Sequence, residues 1–317
     1  MPAEFDLIRR HFVRSTPATV LGPGDDCALI APTPGMQLAV TTDMLVAGTH
    51  FLADTEPGDL GWKTLAVNLS DLAAMGAQPR WALLAGSLPE ADEAWIGAFA
   101  AGFFAAAAAF GVDIVGGDTT RGPLNLCVTA IGEVPPGAAL RRGGARAGDE
   151  IWVSGLPGRA ALGLAHLQGR RVLPPALAAD CLAALYRPQP RVALGLALRG
   201  VASAAIDVSD GLLADLGHIL ELSACGAEID ADSLPPLPDG VDAAAARDAQ
   251  LAGGDDYELV FTAAAEAHAR VLAIGGELGL PLSCCGRIIA AAAGTLTVLD
   301  AAHRPLPITR RGYEHFR

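Results

Sequence analysis

Lysine is almost missing from this sequence: Lys63 stands alone among 22 basic side chains, and the others are arginine. A GC-rich coding bias explains the preference, yet one consequence survives it. No G-x-x-x-x-G-K-[ST] segment exists, so a Walker loop is excluded and any phosphate must be met by metals, arginines and backbone amides. The six cysteines, Cys27, Cys127, Cys181, Cys225, Cys284 and Cys285, include no C-x-x-C pair. Without a leader-like opening they read as thiols in a reducing compartment, and a cytoplasmic location is expected. No D-x-[DN]-x-[DN]-G loop occurs, which excludes an EF-hand. The longest apolar run, Phe99 to Phe110, is mostly alanine and reads as a buried helix too short to span a membrane. Positive charge is scarce, 22 bases against 35 acids for a net −13. That balance argues against nucleic acid or an anionic membrane as partner.

What is present is a chain of 317 residues, 51% hydrophobic, long enough for two medium domains. Phe5, Ile8 and Phe12 give a helical stripe over Glu4 to Arg14. Strands are expected at Met36 to Thr42, Trp81 to Leu88, Val112 to Val115 and Leu124 to Val134, with helices at Leu60 to Met75 and Glu93 to Phe110. This alternation indicates an α/β first domain. A Gly- and Arg-rich stretch, Arg141 to Asp149, marks a junction, and the boundary is placed at 147, giving domains 1–147 and 148–317. Beyond it, strands at Glu150 to Ser154, Ala204 to Val208 and Glu258 to Thr262 alternate with helices at Ala160 to Gln168, Val192 to Leu198 and Leu212 to Ser223. Pro174 with Pro175, and the cluster of Pro235, Pro236 and Pro238, read as loops.

The informative feature is where the aspartates fall. Asp25 and Asp26 follow Gly24; Asp43 closes Thr41-Thr42-Asp43 at a strand end. Asp118 follows Gly116 and Gly117; Asp207 and Asp210 bracket Val208 and Ser209 before Gly211; Asp255 and Asp256 follow Gly253 and Gly254. Aspartate is a poor strand former, and Gly-Asp pairs are also ordinary turn chemistry or helix caps. Five such sites in one chain point instead to a shared rim of acids. Asp71 adds to it from a helix. There Leu65, Leu69 and Leu72 form an apolar stripe while Thr64, Asn68 and Asp71 form a parallel polar one, of a kind suited to a polar cleft. Clustered hard oxygens without paired histidine or cysteine select magnesium, manganese or calcium, and magnesium favours few carboxylates plus substrate phosphates.

These residues bring a family into view. The segments Gly24 to Asp26, Thr41 to Asp43, Gly48 to Phe51, Val67 to Gly76, Gly116 to Thr120, Asp207 to Gly211 and Gly253 to Leu259 occur in this order over nearly the whole chain. In that order the sequence resembles the bacterial thiamine-monophosphate kinases, members of the superfamily that includes aminoimidazole ribonucleotide synthetase. The resemblance implies a two-domain α/β (α+β) fold whose N-terminal domain pairs in a homodimer as a β-barrel-like core, with ATP between the domains. It implies magnesium ligands at Asp26, Thr41, Thr42, Asp43, Asp71, Asp118, Asp207 and Asp210, and nucleotide contacts at Gly117, Asp118, Arg142 and Ser209. His50, Asp255 and Tyr313 correspond to contacts with thiamine monophosphate. Many relatives carry glutamate at Asp255 and some tryptophan at Tyr313; an aromatic that some place near Ala100 is absent. Asp43 and Asp71 are the expected catalytic metal bridges, and direct transfer without a phosphoenzyme is the expected chemistry. The alternatives are another ATP-using member, such as an aminoimidazole ribonucleotide synthetase, or a silent metal- or nucleotide-binding module. Selenophosphate synthetase is disfavoured because no cysteine precedes Val20, and the hydrogenase-maturation protein because no cysteine follows Cys285.

Overall fold

The computed structural model describes residues 4–236 and 240–315, so Pro238 lies outside the described residues. The chain forms two compact units, one of Met1–Leu72 with Ala77–Gly137, the other of Ala73–Gly76 with Ala138–Arg317.

The first unit contains α1 (Glu4–His11), β1 (Gln37–Val46), most of α2 (Pro57–Ala74), β2 (Gln78–Leu88), α3 (Glu93–Phe110), β3 (Asp113–Arg121) and β4 (Asn125–Val134). Its four strands lie in the order β1-β4-β2-β3, with β4 antiparallel to both neighbours and β2 parallel to β3. β1 and β3 both run further than their sequence patterns indicate. Asp43 and Asp118 therefore sit inside strands, correcting the expectation that they close them. The ladder supplies the reason, because β1 pairs with β4 residue by residue from Gln37 to Val46, and pairing outweighs the poor strand propensity of one aspartate.

The helices α2 and α3 meet backbone to backbone. A Cβ on Gly102 would lie 1.8 Å from the Gly58 carbonyl oxygen, and one on Gly61 2.1 Å from that of Phe99. Only glycine admits such an approach. Asp92 caps α3 by accepting from the backbone N–H of Ala94 and Trp95, at 2.9 and 3.2 Å. At 18 residues α3 has the length and composition of a membrane span, which the shorter Phe99–Phe110 run lacked. Its Ile96, Phe99, Phe103 and Ala106 are nonetheless buried in the protein.

The second unit contains β5 (Glu150–Ser154), α4 (Arg159–Leu167), α5 (Pro175–Tyr186), α6 (Val192–Ala197), β6 (Ala202–Asp207), α7 (Leu212–Leu222), β7 (Gly226–Asp230), α8 (Ala243–Ala252), β8 (Leu259–Ala263), α9 (His268–Leu278), β9 (Leu282–Ile289) and β10 (Leu296–Leu299). Six strands form one mixed sheet in the order β10-β7-β9-β5-β8-β6. Both faces are covered. Ile151, Val153, Ala204 and Ile206 pack with Leu212, Leu216 and Ile219 of α7, whereas Trp152, Ala205 and Phe261 pack with Val271 and Ile274 of α9. A strand covered on both sides reads as an unbroken apolar run, as Ile151-Trp152-Val153 does. Pro175, expected in a loop, instead occupies the first turn of α5, where its missing N–H costs nothing.

Candidate functional site

In the first unit the polar stripe of α2 is turned onto β1 rather than toward solvent. Thr64 and Asn68 are buried, and Thr64 is tied to the helix by its hydroxyl donating to the Leu60 carbonyl at 2.7 Å. The Asn68 Oδ1 accepts from the backbone N–H of Asp43 at 2.9 Å, and its Nδ2 donates to the Thr64 carbonyl at 3.1 Å. One turn further on, Asp71 accepts a hydrogen bond from the Thr41 hydroxyl. The carboxyl of Asp43 is pushed up to about 6, first by burial and then by the neighbouring charge of Asp71. Thr41, Asp43 and Asp71 thus share one oxygen-lined spot.

The pleat separates two other expected ligands from them. In β1, side chains alternate between faces, so Thr42 lies opposite Thr41 and Asp43. Its hydroxyl is 2.7 Å from that of Thr129. Asp43 registers with Val128, Leu84 and Gly117, whereas Asp118 registers with Ala85, Cys127 and Met44. Asp118 therefore stands on the same open face as Thr42. Gly117 is required where it is, because a Cβ there would lie 1.9 Å from the Leu84 carbonyl oxygen. Asp26 is exposed in the loop after Gly24, its N–H bonded to Asp25 Oδ1 at 2.9 Å. His50 lies in the turn after β1, its Nδ1 accepting from the Val46 N–H at 3.0 Å.

In the second unit, Asp207 ends β6 and is buried, 4% exposed. The following loop is held by Asp215 in the first turn of α7. One carboxylate oxygen, Oδ2, accepts from three successive backbone N–H groups, those of Ser209, Asp210 and Gly211, at 3.0–3.1 Å. Burial still pushes Asp215 up to about 7, against the lowering effect of those N–H groups. The Gly253–Tyr257 segment closes over the same loop. Asp255 N–H donates to the Ser209 carbonyl at 2.7 Å, and Tyr257 N–H to that of Val208 at 2.9 Å. Both residues have left-handed φ, 73° and 55°, a strain of order 1–3 kcal/mol each for non-glycine residues. Tyr313 joins them, its N–H bonded to the Asp210 carbonyl at 3.0 Å. Arg142 is exposed, its carbonyl accepting from Ser223 Oγ at 3.4 Å.

Family models described as AIR synthase related protein match this chain twice, the N-terminal domain over residues 24–134 and the C-terminal domain over 146–299. Thiamine-monophosphate kinase of Escherichia coli strain K12 is 47% identical over 320 residues, spanning 99% of this chain and 98% of that protein. This chain belongs to the thiamine-monophosphate kinases of the AIR synthase related family. The crystal structure of the thiamine-monophosphate kinase from Stenotrophomonas maltophilia K279a superposes with a TM-score of 0.87 at 51% identity, covering 93% of this chain and 96% of that one. AaThiL complexed with AMPPCP and TMP gives 0.77 at 27% identity, over 98% and 96%.

Several residues around the AIR synthase related motifs were not apparent from sequence. Asp215 is one, and its position four residues after Gly211 is a usable signal for a helix-start acid that reaches back to the preceding loop. Asp256 is another. Its buried carboxyl receives the N–H groups of Gly158 and Ala160 at the start of α4, at 2.5 and 3.1 Å, and burial pushes it up to about 8. Glu258 is gripped by Arg191 through two bonds of 2.6 Å and by Ser154 Oγ at 2.6 Å. Nothing in the local sequence pairs Arg191 with Glu258.

Proposed function

We propose that this chain phosphorylates thiamine monophosphate to thiamine diphosphate, moving the γ-phosphoryl group of ATP directly to the acceptor phosphate with several magnesium ions bound. The observation that carries this reading is the Asp43–Asp71 pair. Burial first, and then the neighbouring carboxylate, raise Asp43 to about 6, so the two negative charges this pair carries at neutral pH are ones a bound cation would stabilise. The neighbouring donors are the hydroxyl of Thr41 and the amide of Asn68, hard oxygen groups that fit magnesium. The kinship with proteins named thiamine-monophosphate kinase, one complexed with AMPPCP and TMP, supports the same substrates.

An acceptor phosphate monoester has a second pKa near ~6 and is already a nucleophilic dianion at neutral pH. No side chain needs to act as its base. The obstacle is repulsion between that dianion and the triphosphate, roughly 4 kcal/mol per pair of unit charges at 4 Å and an effective dielectric near 20. Bound magnesium would neutralise that charge and align the oxygens. On this reading Asp43 and Asp71 are the catalytic metal bridges, with Asp26, Thr41, Thr42, Asp118, Asp207 and Asp210 as further ligands. Gly117, Asp118, Arg142 and Ser209 meet the nucleotide; His50, Asp255 and Tyr313 meet thiamine monophosphate. Residues 1–147 form the nucleotide-, magnesium- and dimer-forming part, residues 148–317 the second domain, and the enzyme works in the cytoplasm.

The homodimer rests on the open face of the first sheet. Leu38, Val40 and Met44 are exposed there, Val40 by 62%, and the register sets Val40 opposite Ile131 and Met44 opposite Cys127. A second copy closing over this face as a barrel-like core would bury that apolar surface. ADP release assayed with ATP, magnesium and thiamine monophosphate tests the reaction. Thiamine diphosphate formed in equal amount is expected, and ATP hydrolysis indifferent to thiamine monophosphate would overturn it.

A further inference from the structure

We propose that Glu150, His268 and Cys284, in the second unit, form a binding site for a borderline-soft divalent transition ion of the zinc type. One ligand atom from each of the three lies within 4.8 Å of the others. The three come from separate rigid elements. Glu150 opens β5, and Trp152, two residues on, lies on the same face of the sheet. Cys284 of β9 registers opposite Trp152, and the ring of His268, the first residue of α9, is 4.9 Å from the Trp152 ring.

The donor set of one nitrogen, one sulfur and one oxygen matches zinc and its neighbours, not the oxygen-seeking magnesium. It is chemically distinct from the Asp43–Asp71 spot, which offers oxygen alone. A tetrahedral ion with bonds of about 2.0–2.3 Å holds its ligand atoms about 3.5 Å apart, so the three need close by only about 1 Å. A thiolate, a carboxylate and a neutral imidazole bring two negative charges against the two of the cation, and the fourth position is left for water or an outside ligand.

Two further features fit a metal ligand set. The register partner of Glu150 is Arg287, but that guanidinium donates twice to Glu228 Oε2, at 2.9 and 2.6 Å. Both Glu150 oxygens are consequently left to His268, 2.9 and 3.0 Å from its Nδ1. Cys284, meanwhile, is only half-buried, so its sulfur is not sealed away from an entering ion. Without a cation, burial and then the Glu150 charge hold that thiol protonated; a bound ion reverses both effects by taking the thiolate as ligand. His268 is half exposed and gives the ion a way in.

The test uses the full chain in millimolar magnesium, so that oxygen-only sites are occupied, and titrates cobalt(II) followed by zinc. One equivalent of cobalt should produce a thiolate-to-cobalt charge-transfer band that zinc abolishes. The Cys284→Ser variant should lose the band, and His268→Ala should weaken binding at least ~10-fold, while Cys27→Ser, which removes the exposed thiol, should leave it unchanged. Zinc should also raise the thermal midpoint of the unsubstituted chain and not that of Cys284→Ser or His268→Ala, a readout that compares each protein with itself. Absence of the band in the unsubstituted chain, its survival in Cys284→Ser, or its loss in Cys27→Ser would each show that Glu150 and His268 are only a hydrogen-bonded pair.

Discussion

The two acidic neighbourhoods of this protein use buried carboxyls in opposite ways. Asp43 is raised by burial and, next, by a like charge, Asp71. Asp215 is raised by burial too, but its next contribution is a backbone N–H that lowers it, one of three it receives. On the proposed reading a cation completes the first arrangement; the second is already satisfied and gives a loop its shape. Asp215 is the more deeply buried of the two and Asp43 only half-buried, yet it is the partner, a like charge or a backbone N–H, that separates their jobs.

The comparison breaks most visibly if Asp43→Asn keeps its activity. Turnover should fall roughly 10³-fold or more, with the thermal midpoint unchanged or raised, because a buried like charge has gone. ADP release and a melting curve on the same sample check both halves. Asp215→Ala should behave the other way. Three N–H groups lose their acceptor at a cost of about 3 kcal/mol, read as a lower denaturant midpoint, and Asp215→Asn should recover part of it.

A third measurement sharpens the role of the cation. The folded pKa of Asp43, about 6, lies above its ordinary 3.8, so between those values the native chain holds a proton that the unfolded chain has released. Stability from this group is present at low pH and is lost as pH rises through about 4 to 6. With a chelator present, the unsubstituted chain should lose about 2 kcal/mol more than Asp43→Asn across that range. Magnesium should shrink or invert the gap, and equal slopes under both conditions would contradict the account. The smallest effect concerns the two faces of the first sheet. Val40→Asp should leave the fold within about 0.5 kcal/mol yet weaken self-association at least ~10-fold by sedimentation.

Much of this was visible in the residues themselves. The leucine and polar stripes of α2 foretold a helix with Asn68 and Asp71 turned away from open solvent, here onto β1, because helical periodicity is a local property. The loop from Asp207 to Gly211 announced itself by composition. Pairing partners were not visible, and errors arose where pairing decided the outcome. The extent of β1 past Asp43, and the opposite faces of Asp43 and Asp118, depend on register with β4 and β2, which no single segment encodes. Pro175 reads as part of a loop, and it opens α5 instead because the residues that follow, Leu177, Ala178 and Cys181, are buried as a helical face. The grip of Arg191 on Glu258 joins positions 67 residues apart and left no trace in either neighbourhood.

Crystals grown with manganese and a non-hydrolysable ATP analogue offer the most direct examination of the acid pair. An anomalous peak within bonding distance of the carboxylates of both Asp43 and Asp71, touching the analogue's phosphates, is the expected result. Manganese bound to the phosphates with neither aspartate in reach would mean that the repelling pair in β1 and α2 has some other purpose.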